Sequence, residues 1–144
     1  MQNFILSKQL AADTIEIGDL PICKVLLMND QQFPWLILVP RRASITELYQ
    51  LESNDLLKTQ EESLLISQLI MQHFNGEKLN TGAIGNLVPQ LHLHHIVRFH
   101  SDPIWPKPVW GNIEASPYNA AQIKGLKNNL QHLIKAKNND FLST

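Results

Sequence analysis

A short stretch of the chain carries an alternating row of polar side chains that could do chemistry. Four of the six histidines lie between residues 92 and 100, and residues 85–98 read GNLVPQLHLHHIVR. Side chains alternate between the two faces of an extended strand. We therefore predict a strand over 90–99 in which one face is formed by Gln90, His92 and His94. The opposite face, turned toward the core, would carry Leu91, Leu93 and His95.

His92 stands at the middle of this row and is the candidate nucleophile. A neutral imidazole is a good nucleophile toward phosphorus and is available near neutral pH. Attack requires one bare ring nitrogen, while the other must donate its proton to a fixed acceptor that selects the tautomer. Donors on the same face can then stabilise negative charge as it builds on the phosphoryl oxygens. The row therefore favours covalent catalysis at phosphorus, with Gln90 and His94 flanking the nucleophile.

Two other interpretations of the row stay open. Histidines two apart on a strand can bind a metal ion, although the row holds no carboxylate and the nearest one, Asp102, lies in a proline-rich loop. The histidines could also be purely structural, but a row of three polar side chains is hard to satisfy without a ligand. We predict no metal and no other cofactor.

The helices that would support the row are marked by apolar spacing. Apolar residues four apart predict a core-packing helix over 55–75, with N-cap side chains at 53–55 and Gly76 at its C-terminal end. The polar residues of this segment, among them Glu61 and Glu62, would cover its outer face. Weaker patterns predict helices over 4–12 and 117–135, and the last residues are expected to fray.

The strands are marked by short apolar runs between turn residues. Such runs predict strands over 14–17, 23–28, 35–39 and 79–82, of which the second and third would form a hairpin. Strands joined by hairpins with helices on one face indicate an α+β fold. We expect an antiparallel β-sheet with the long helix packed on it and a C-terminal helix.

The segment after the histidine row reads SDPIWPKPVWG, and its prolines forbid an interior strand or helix. We expect an ordered loop in which Trp105 and Trp110 either stack on a base or anchor the loop by burial. Arg98, just before this loop, could contact phosphate or form a structural salt bridge.

The length and composition of the chain indicate which classes of binding partner to expect. A length of 144 residues suits one domain, and a net charge of −1 gives no broad electrostatic attraction to nucleic acid or to an anionic membrane. The single cysteine, Cys23, lies in an apolar run and is expected to be a buried thiol. No signal peptide pattern and no run of about 18 apolar residues is present. We therefore expect a cytoplasmic location.

Residues 90–96 resemble the signature of the histidine triad (HIT) superfamily, His-φ-His-φ-His-φ-φ with φ apolar. The segments Asn80-Thr81-Gly82 and Gly85-Asn86-Leu87-Val88 resemble the residues that lead into that signature. The hairpin ending in LILVP and the following long helix also match the family's order, so the resemblance covers roughly residues 14–100. The chain is similar to bacterial HIT hydrolases of the diadenosine tetraphosphate hydrolase type, and the proline and tryptophan segment looks like a trait of one bacterial branch.

This resemblance implies one HIT-like domain over 1–144, with 14–100 as its core and 101–144 as the proline/tryptophan loop and C-terminal helix. It also implies a homodimer with a continuous sheet and a nucleotide substrate. The middle histidine of the family attacks the α-phosphorus and forms a nucleotidyl-histidine, which water then hydrolyses.

Carried onto this sequence, the match makes His92 the nucleophile and His94 a hydrogen-bond partner of phosphate oxygens. Asn80 and Asn86, with the backbone N–H groups of Leu87 and Val88, would line the phosphate site. The nucleoside would lie on the hairpin near Leu27, Asn29 and Leu38.

The sequence departs from the family pattern at two positions. Gln90 replaces the first histidine, and because its amide still makes hydrogen bonds we expect altered rather than abolished activity. His95 stands where an apolar residue is usual, and we expect a core or interface histidine. Three hypotheses follow: a nucleotide hydrolase or transferase acting on dinucleoside polyphosphates or phosphoramidates, a nucleotide-binding module with little or no catalysis, and a metal-dependent enzyme using His92 and His94.

Overall fold

The computed structural model describes residues 3–144 of the chain. Its strands within these residues are β1 (Thr14–Asp19), β2 (Cys23–Met28), β3 (Trp35–Pro40), β4 (Lys78–Gly82), β5 (Leu93–Arg98) and β6 (Leu142–Ser143). Its helices are α1 (Lys8–Asp13), α2 (Ser53–His73) and α3 (Ala120–Lys137), with a 3-10 turn at Leu48–Gln50. None of the helices described is long and apolar enough to cross a membrane.

The strands form one sheet in the order β4-β5-β3-β2-β1-β6, and each neighbouring pair is antiparallel. The β2–β3 hairpin aligns Cys23 with Pro40 and Leu27 with Leu36. Strand β5 is second from one edge of the sheet and lies between β3 and β4, which are far apart in sequence. The predicted α+β fold with an antiparallel sheet is confirmed.

The two faces of the sheet are covered by different parts of the chain. Helices α2 and α3 pack on one face, in a core that includes Leu27, Leu38, Ile66 and Ile134. On the other face, a second cluster joins strand side chains to the N-terminal segment and to the loop after β5; it includes Leu10, Leu26, Ile37, Ile96 and Val109. Adjacent residues of one strand divide between these clusters because strand side chains alternate.

Helix α2 ends in a hydrogen-bonding pattern that differs from the predicted one. Asn75 adopts the left-handed conformation (φ 53°), and the Gly76 N–H donates to the Met71 carbonyl at 2.9 Å, as in a Schellman motif. A Cβ atom on Gly76 would lie 2.5 Å from Val97 Cγ1. Gly76 is therefore required for close packing against β5, and Asn75 supplies the turn.

The buried side of α2 carries a carboxylate that was expected on its outer face. Glu62 is 6% exposed, and its two oxygens accept the backbone N–H groups of Ile22 and Cys23 at 2.8 Å each. These bonds satisfy the backbone at the start of β2, where the ladder with β1 has ended. The Cys23 thiol is buried as predicted, and burial, together with Glu62, raises its pKa far above the usual range.

Two predicted element starts are displaced by long-range contacts. Helix α1 begins at Lys8 rather than residue 4, because Phe4 and Leu6 pack against the sheet as an extended segment. Strand β5 begins at Leu93 rather than residue 90, because the Leu91 N–H donates to the Ile45 carbonyl (2.9 Å) outside the sheet. His92 therefore lies just before the regular strand.

The end of the chain is ordered against the sheet, so the expectation of fraying was wrong. Strand β6 pairs with β1, aligning Leu142 with Asp19, and the Thr144 N–H donates to the Ile17 carbonyl at 3.2 Å. Phe141 is 1% exposed within the core. A buried aromatic ring and strand hydrogen bonds together hold this segment.

The proline-rich loop is anchored at its start by a buried ion pair. Arg98 Nε donates to Asp102 at 2.7 Å and Nη2 donates to the other carboxylate oxygen at 3.1 Å, and both side chains are almost fully buried. The guanidinium also lies over the rings of Phe33 and Trp105. Of the two roles considered for Arg98, its contacts are those of the structural salt bridge. The loop is thereby fixed where it turns back over the sheet.

Candidate functional site

The ring of His92 is held by the backbone of its own segment. Its Nδ1 lies 2.7 Å from the carbonyl oxygen of Gln90, and a carbonyl can only accept. Nδ1 therefore carries the proton of the neutral ring, and Nε2 is left bare. Although His92 is only 7% exposed, it lines two cavities on the face opposite α2. The atom that could attack a ligand is thus selected by a main-chain acceptor.

His94 is the histidine of β5 on the face opposite α2, and it is held by a different partner. The indole N–H of Trp35 donates to His94 Nδ1 at 3.0 Å. Burial, reinforced by the neighbouring His92 and His95, lowers the pKa of His94 to about 3. The rings of His92 and His94 meet edge to face with 4.9 Å between centroids. His94 is therefore a neutral ring beside the candidate nucleophile.

The larger cavity next to His92 has a volume of about 530 Å³ and mainly apolar walls. One wall comes from the β2–β3 hairpin, one from the loop after β4, and one from the loop after β5. Its lining includes Met28, Trp35, Val88, Val109, Trp110 and Ile113. A cavity of this size and character suits a small, partly apolar ligand.

One carboxylate lines this cavity, and sequence analysis missed it. Asp30 is 1% exposed, and the three hydrogen bonds that the described residues donate to it, from Gln32 N, Gln32 Nε2 and Ser116 N, all end on Oδ1. Oδ2 is the oxygen left to accept hydrogen bonds from a ligand. The only signal in the sequence was an aspartate in the hairpin turn, where such residues are common for conformational reasons.

The loop between β4 and β5 approaches His92 from the opposite side. Asn86, Leu87 and Val88 all line the cavity, and Leu87 is 96% exposed. Gly85 begins this turn with φ 68°, a conformation that favours glycine. A smaller cavity of about 210 Å³, lined in part by Thr46, Glu47 and Gln90, adjoins His92 on its other side.

Gln90 makes structural contacts at its side chain. Its Oε1 accepts the Ser7 N–H at 2.8 Å and its Nε2 donates to the Ile5 carbonyl at 2.9 Å. The amide thus holds the extended N-terminal segment and does not line the larger cavity. The expected position of Gln90 beside the nucleophile in one polar row is corrected: its carbonyl reaches His92, and its side chain is bonded elsewhere.

Two asparagines predicted at the ligand are also bonded elsewhere. Asn80 Oδ1 accepts from Arg98 Nη1 at 2.8 Å, next to the buried ion pair. Asn29 Oδ1 accepts the Tyr118 N–H at 2.9 Å and ties the hairpin to the segment before α3. Neither residue lines the larger cavity.

The predicted nucleoside contacts at Leu27 and Leu38 were wrong. Both side chains are at most 1% exposed in the core beneath α2, on the opposite face of the sheet from His92. The neighbouring alternation places Met28 and Trp35 at the cavity instead.

The two tryptophans of the proline-rich loop have different environments. Trp110 lines the cavity, with its ring centroid 5.4 Å from that of His94. Its indole N–H is buried without a hydrogen-bond partner among the described residues, a state that a ligand acceptor would relieve. Trp105 packs instead on Arg98 and on the ring of His100.

His95 occupies the other face of β5, as alternation predicts. It is fully buried, its Nε2 lies 2.7 Å from Ser63 Oγ of α2, and burial lowers its pKa to about 4. Over residues 3–144, no group of three or more His, Cys, Asp or Glu side chains is placed to hold a metal ion.

Comparison with known proteins adds family evidence to this geometry. A family model that describes the HIT domain matches residues 9–101, whereas no match was found among curated proteins. A solved histidine triad protein from Marinobacter aquaeolei VT8 is 47% identical, with a TM-score of 0.91 over 94% of this chain and 98% of that one.

Two further solved histidine triad proteins have a similar structure. A histidine triad protein from Bradyrhizobium japonicum is 38% identical, with a TM-score of 0.89 over 92% of this chain and 99% of that one. A histidine triad (HIT) protein from Sinorhizobium meliloti 1021 is 40% identical, with a TM-score of 0.87 over 90% of this chain and 96% of that one. By both the family model and the shared α+β fold, the chain belongs to the HIT domain family.

Proposed function

We propose that this protein is a nucleotide hydrolase or transferase that cleaves at an α-phosphate through a nucleotidyl intermediate on His92. Membership of the HIT family supports a nucleotide-binding or hydrolase-like role in general. The observation that carries the finer proposal is the state of His92: Nδ1 is tied to the Gln90 carbonyl and bare Nε2 is left at the cavity. This is the arrangement that nucleophilic catalysis by imidazole requires.

The cavity offers a place for each part of a nucleotide. The base would lie between the apolar walls that include Trp110 and Ile113, and the ribose hydroxyls would donate to Oδ2 of Asp30. The α-phosphate would then lie at His92, near His94 and the turn formed by Asn86, Leu87 and Val88. Backbone N–H groups of such a turn, with a neutral His94, are suitable donors for a phosphoryl group whose negative charge increases.

The reaction proceeds in two displacements. Nε2 of His92 attacks the α-phosphorus, the Nε2–P bond forms, and the bond from phosphorus to the leaving oxygen or nitrogen breaks with its electron pair. The leaving group takes a proton from solvent. Water then attacks the same phosphorus, the Nε2–P bond breaks, and the nucleoside monophosphate leaves while the proton of the attacking water returns to solvent. His92 is regenerated in its starting tautomer because the Gln90 carbonyl still accepts from Nδ1.

The direct test uses two substrates of different leaving groups, a dinucleoside tetraphosphate and a nucleoside phosphoramidate. We expect release of a nucleoside monophosphate from at least one of them, with loss of turnover in His92→Gln. His100→Gln is the matched control, because His100 is exposed, pairs with Glu77 and lies outside the cavity. Rapid quenching and mass spectrometry should find the added nucleotidyl mass on the peptide containing residue 92.

Unchanged turnover in His92→Gln would overturn the proposal. Tight binding of a nucleoside monophosphate with no turnover and no covalent adduct would instead favour the nucleotide-binding module. Loss of turnover on treatment with a chelator, restored by a divalent metal, would favour the metal-dependent alternative.

We also propose that the protein forms a homodimer with a continuous sheet. Strand β4 is at the edge of the sheet and pairs only with β5 in the described chain, so its outer backbone groups can pair with a second copy. Leu57 and Leu64 of α2 are more than half exposed and offer apolar area. Light scattering after size-exclusion chromatography should give twice the mass of the chain, and a mass of one chain at all concentrations would contradict a dimer.

A further inference from the structure

We propose that Trp35 is a positioning residue that holds His94 as a neutral ring with its single proton on Nε2. The indole nitrogen of Trp35 and Nδ1 of His94 are 3.0 Å apart. An indole N–H donates and has no lone pair to accept with. His94 Nδ1 must therefore be the acceptor, which leaves Nε2 as the nitrogen that carries hydrogen.

Both partners are buried side chains of neighbouring strands. Trp35 is 5% exposed in β3 and His94 is 6% exposed in β5, and their strands pair so that Ile37 aligns with His94 and Trp35 with Ile96. The two rings are tilted by 56° with 5.6 Å between centroids. A side chain two residues away along the neighbouring strand thus reaches diagonally across the sheet face to the histidine.

His92 and His94 consequently have opposite tautomers. The carbonyl of Gln90 requires hydrogen on Nδ1 of His92, whereas the Trp35 indole requires hydrogen on Nε2 of His94. One ring presents a bare nitrogen and its neighbour, 4.9 Å away between centroids, presents an N–H. Under the proposed function, His92 would supply the nucleophile and the Nε2–H of His94 would supply a donor for the developing negative charge.

Protonating His94 would break the contact with Trp35, because two N–H groups would then face each other. The ionisable groups that act on the charge of this ring are His92 and His95 on its own segment, and Arg98 is the next ionisable side chain along β5. Arg98 is already paired with Asp102. The contact with Trp35 opposes the charged form of His94, as does its burial, so the donor stays neutral.

The spectroscopic test measures the ring nitrogens directly. In ¹⁵N-labelled protein, long-range imidazole correlations over about pH 5 to 8 should show His94 with a bare Nδ1 and hydrogen on Nε2 throughout. In Trp35→Phe, which keeps an aromatic ring and removes the N–H, the Nδ1 resonance should move as tautomers mix or as the ring titrates. Trp105→Phe is the matched control, since Trp105 lies outside the cavity, and it should leave the His94 signals unchanged.

The kinetic test separates the N–H from the shape of the ring, and only this arm rests on the proposed function. Trp35→Phe should lower kcat by up to about 100-fold, the lower end of the cost of losing one oxyanion donor. In a His94→Ala background the same substitution should leave kcat unchanged, because Trp35 acts through His94. Any loss of ring contact with the ligand should change KM equally in both backgrounds.

The inference is overturned if hydrogen is found on Nδ1 of His94 in the wild-type protein, or if Trp35→Phe leaves the His94 signals as they were. The wild-type measurement alone decides the tautomer, even if Trp35→Phe fails to fold. The nitrogen shifts need no substrate, so an inactive protein would contradict the proposed function and leave the assignment of His94 standing.

Discussion

At the scale of single residues, position 90 acts through its main chain on one side and its side chain on the other. The carbonyl orients His92, while the amide holds Ser7 and Ile5 of the N-terminal segment. A carbonyl is present whatever the side chain is, so a glutamine at this position of the family signature preserves the tautomer of His92.

We therefore expect Gln90→Ala to change stability more than chemistry. Turnover should stay within a few-fold of wild type, whereas the free energy of unfolding should fall by about 1–3 kcal/mol for two lost hydrogen bonds. Urea denaturation and steady-state kinetics on the same preparations measure both quantities. A loss of kcat as large as that of His92→Gln would show that the side chain takes part in the reaction.

A second residue-scale prediction concerns pH. The pKa of His95 falls from 6.5 to about 4 on burial, so the unfolded chain binds more protons than the folded chain between those values. The stabilisation is complete above pH 6.5 and is lost as the pH falls toward 4, by on the order of 3 kcal/mol. His94 shifts in the same direction.

Urea denaturation at several pH values measures this loss, and His95→Gln should lessen it. Gln has no titrating group and can still bond to Ser63. If His95→Gln and wild type lose stability equally between pH 6.5 and 4, His95 is not the group responsible.

Features of the site that depend on local spacing could be predicted from the sequence, whereas features that depend on contacts between distant residues could not. Alternation within a strand is local, and it correctly separated His94 from His95. The partners of Gln90 are more than 80 residues distant along the chain, and Trp35 reaches His94 across 59 residues. Nothing in the local pattern encodes these pairings, which explains why Trp35 and Asp30 were missed and why the contacts of Gln90 were placed incorrectly.

At the scale of elements, the loop after β5 depends on one buried ion pair. Arg98 binds both oxygens of Asp102, and Asp102 also accepts the backbone N–H groups of Phe99 and Ile104. The loop that carries Trp110 to the cavity is fixed at its first turn by these bonds.

Arg98→Met should therefore destabilise the protein by about 3–5 kcal/mol, because it leaves a buried carboxylate without its partner. Arg42→Met is the matched control: Arg42 also binds an aspartate, Asp55, through two nitrogens, but its side chain is 40% exposed. That variant should lose about 0–1 kcal/mol. Equal losses in the two variants, measured by urea denaturation, would contradict the role given to burial.

Most element types were predictable, and most errors lay at boundaries. Periodicity located α2, α3 and five of the six strands of the described sheet. It could not show that Ile45 takes the Leu91 N–H and delays β5, nor that Glu62 turns inward to serve two backbone N–H groups. Both effects come from a neighbouring segment that satisfies polar groups outside the sheet.

At the scale of the whole molecule, the last strand packs against the first. Gly18 lies where β1 meets this terminal segment, and a Cβ there would be 2.4 Å from both the Leu142 carbonyl oxygen and the Phe141 ring. A backbone atom cannot move away as a flexible side chain can. The absence of a side chain at Gly18 is therefore a condition for the docking of the end of the chain.

Gly18→Ala should lower the free energy of unfolding by about 1–3 kcal/mol or more through overpacking. Gly125→Ala, in an open position of α3 with no atom within 4 Å of the added methyl group, should raise it by roughly 0.5–1 kcal/mol. Thermal unfolding of the two variants tests the predicted loss of stability in Gly18→Ala and the predicted gain in Gly125→Ala. A stabilised Gly18→Ala would mean that the terminal strand does not dock as described.

The wall formed by Val109, Trp110, Gly111, Ile113 and Ala115 lies beyond residues 9–101, the part of the chain that the HIT model matches. His92 and this wall thus lie on different stretches of the sequence. Under the proposed function, exchange of this one wall would change the ligand preference while His92 is kept. Transplanting residues 103–116 between two such proteins should carry the choice of base with them.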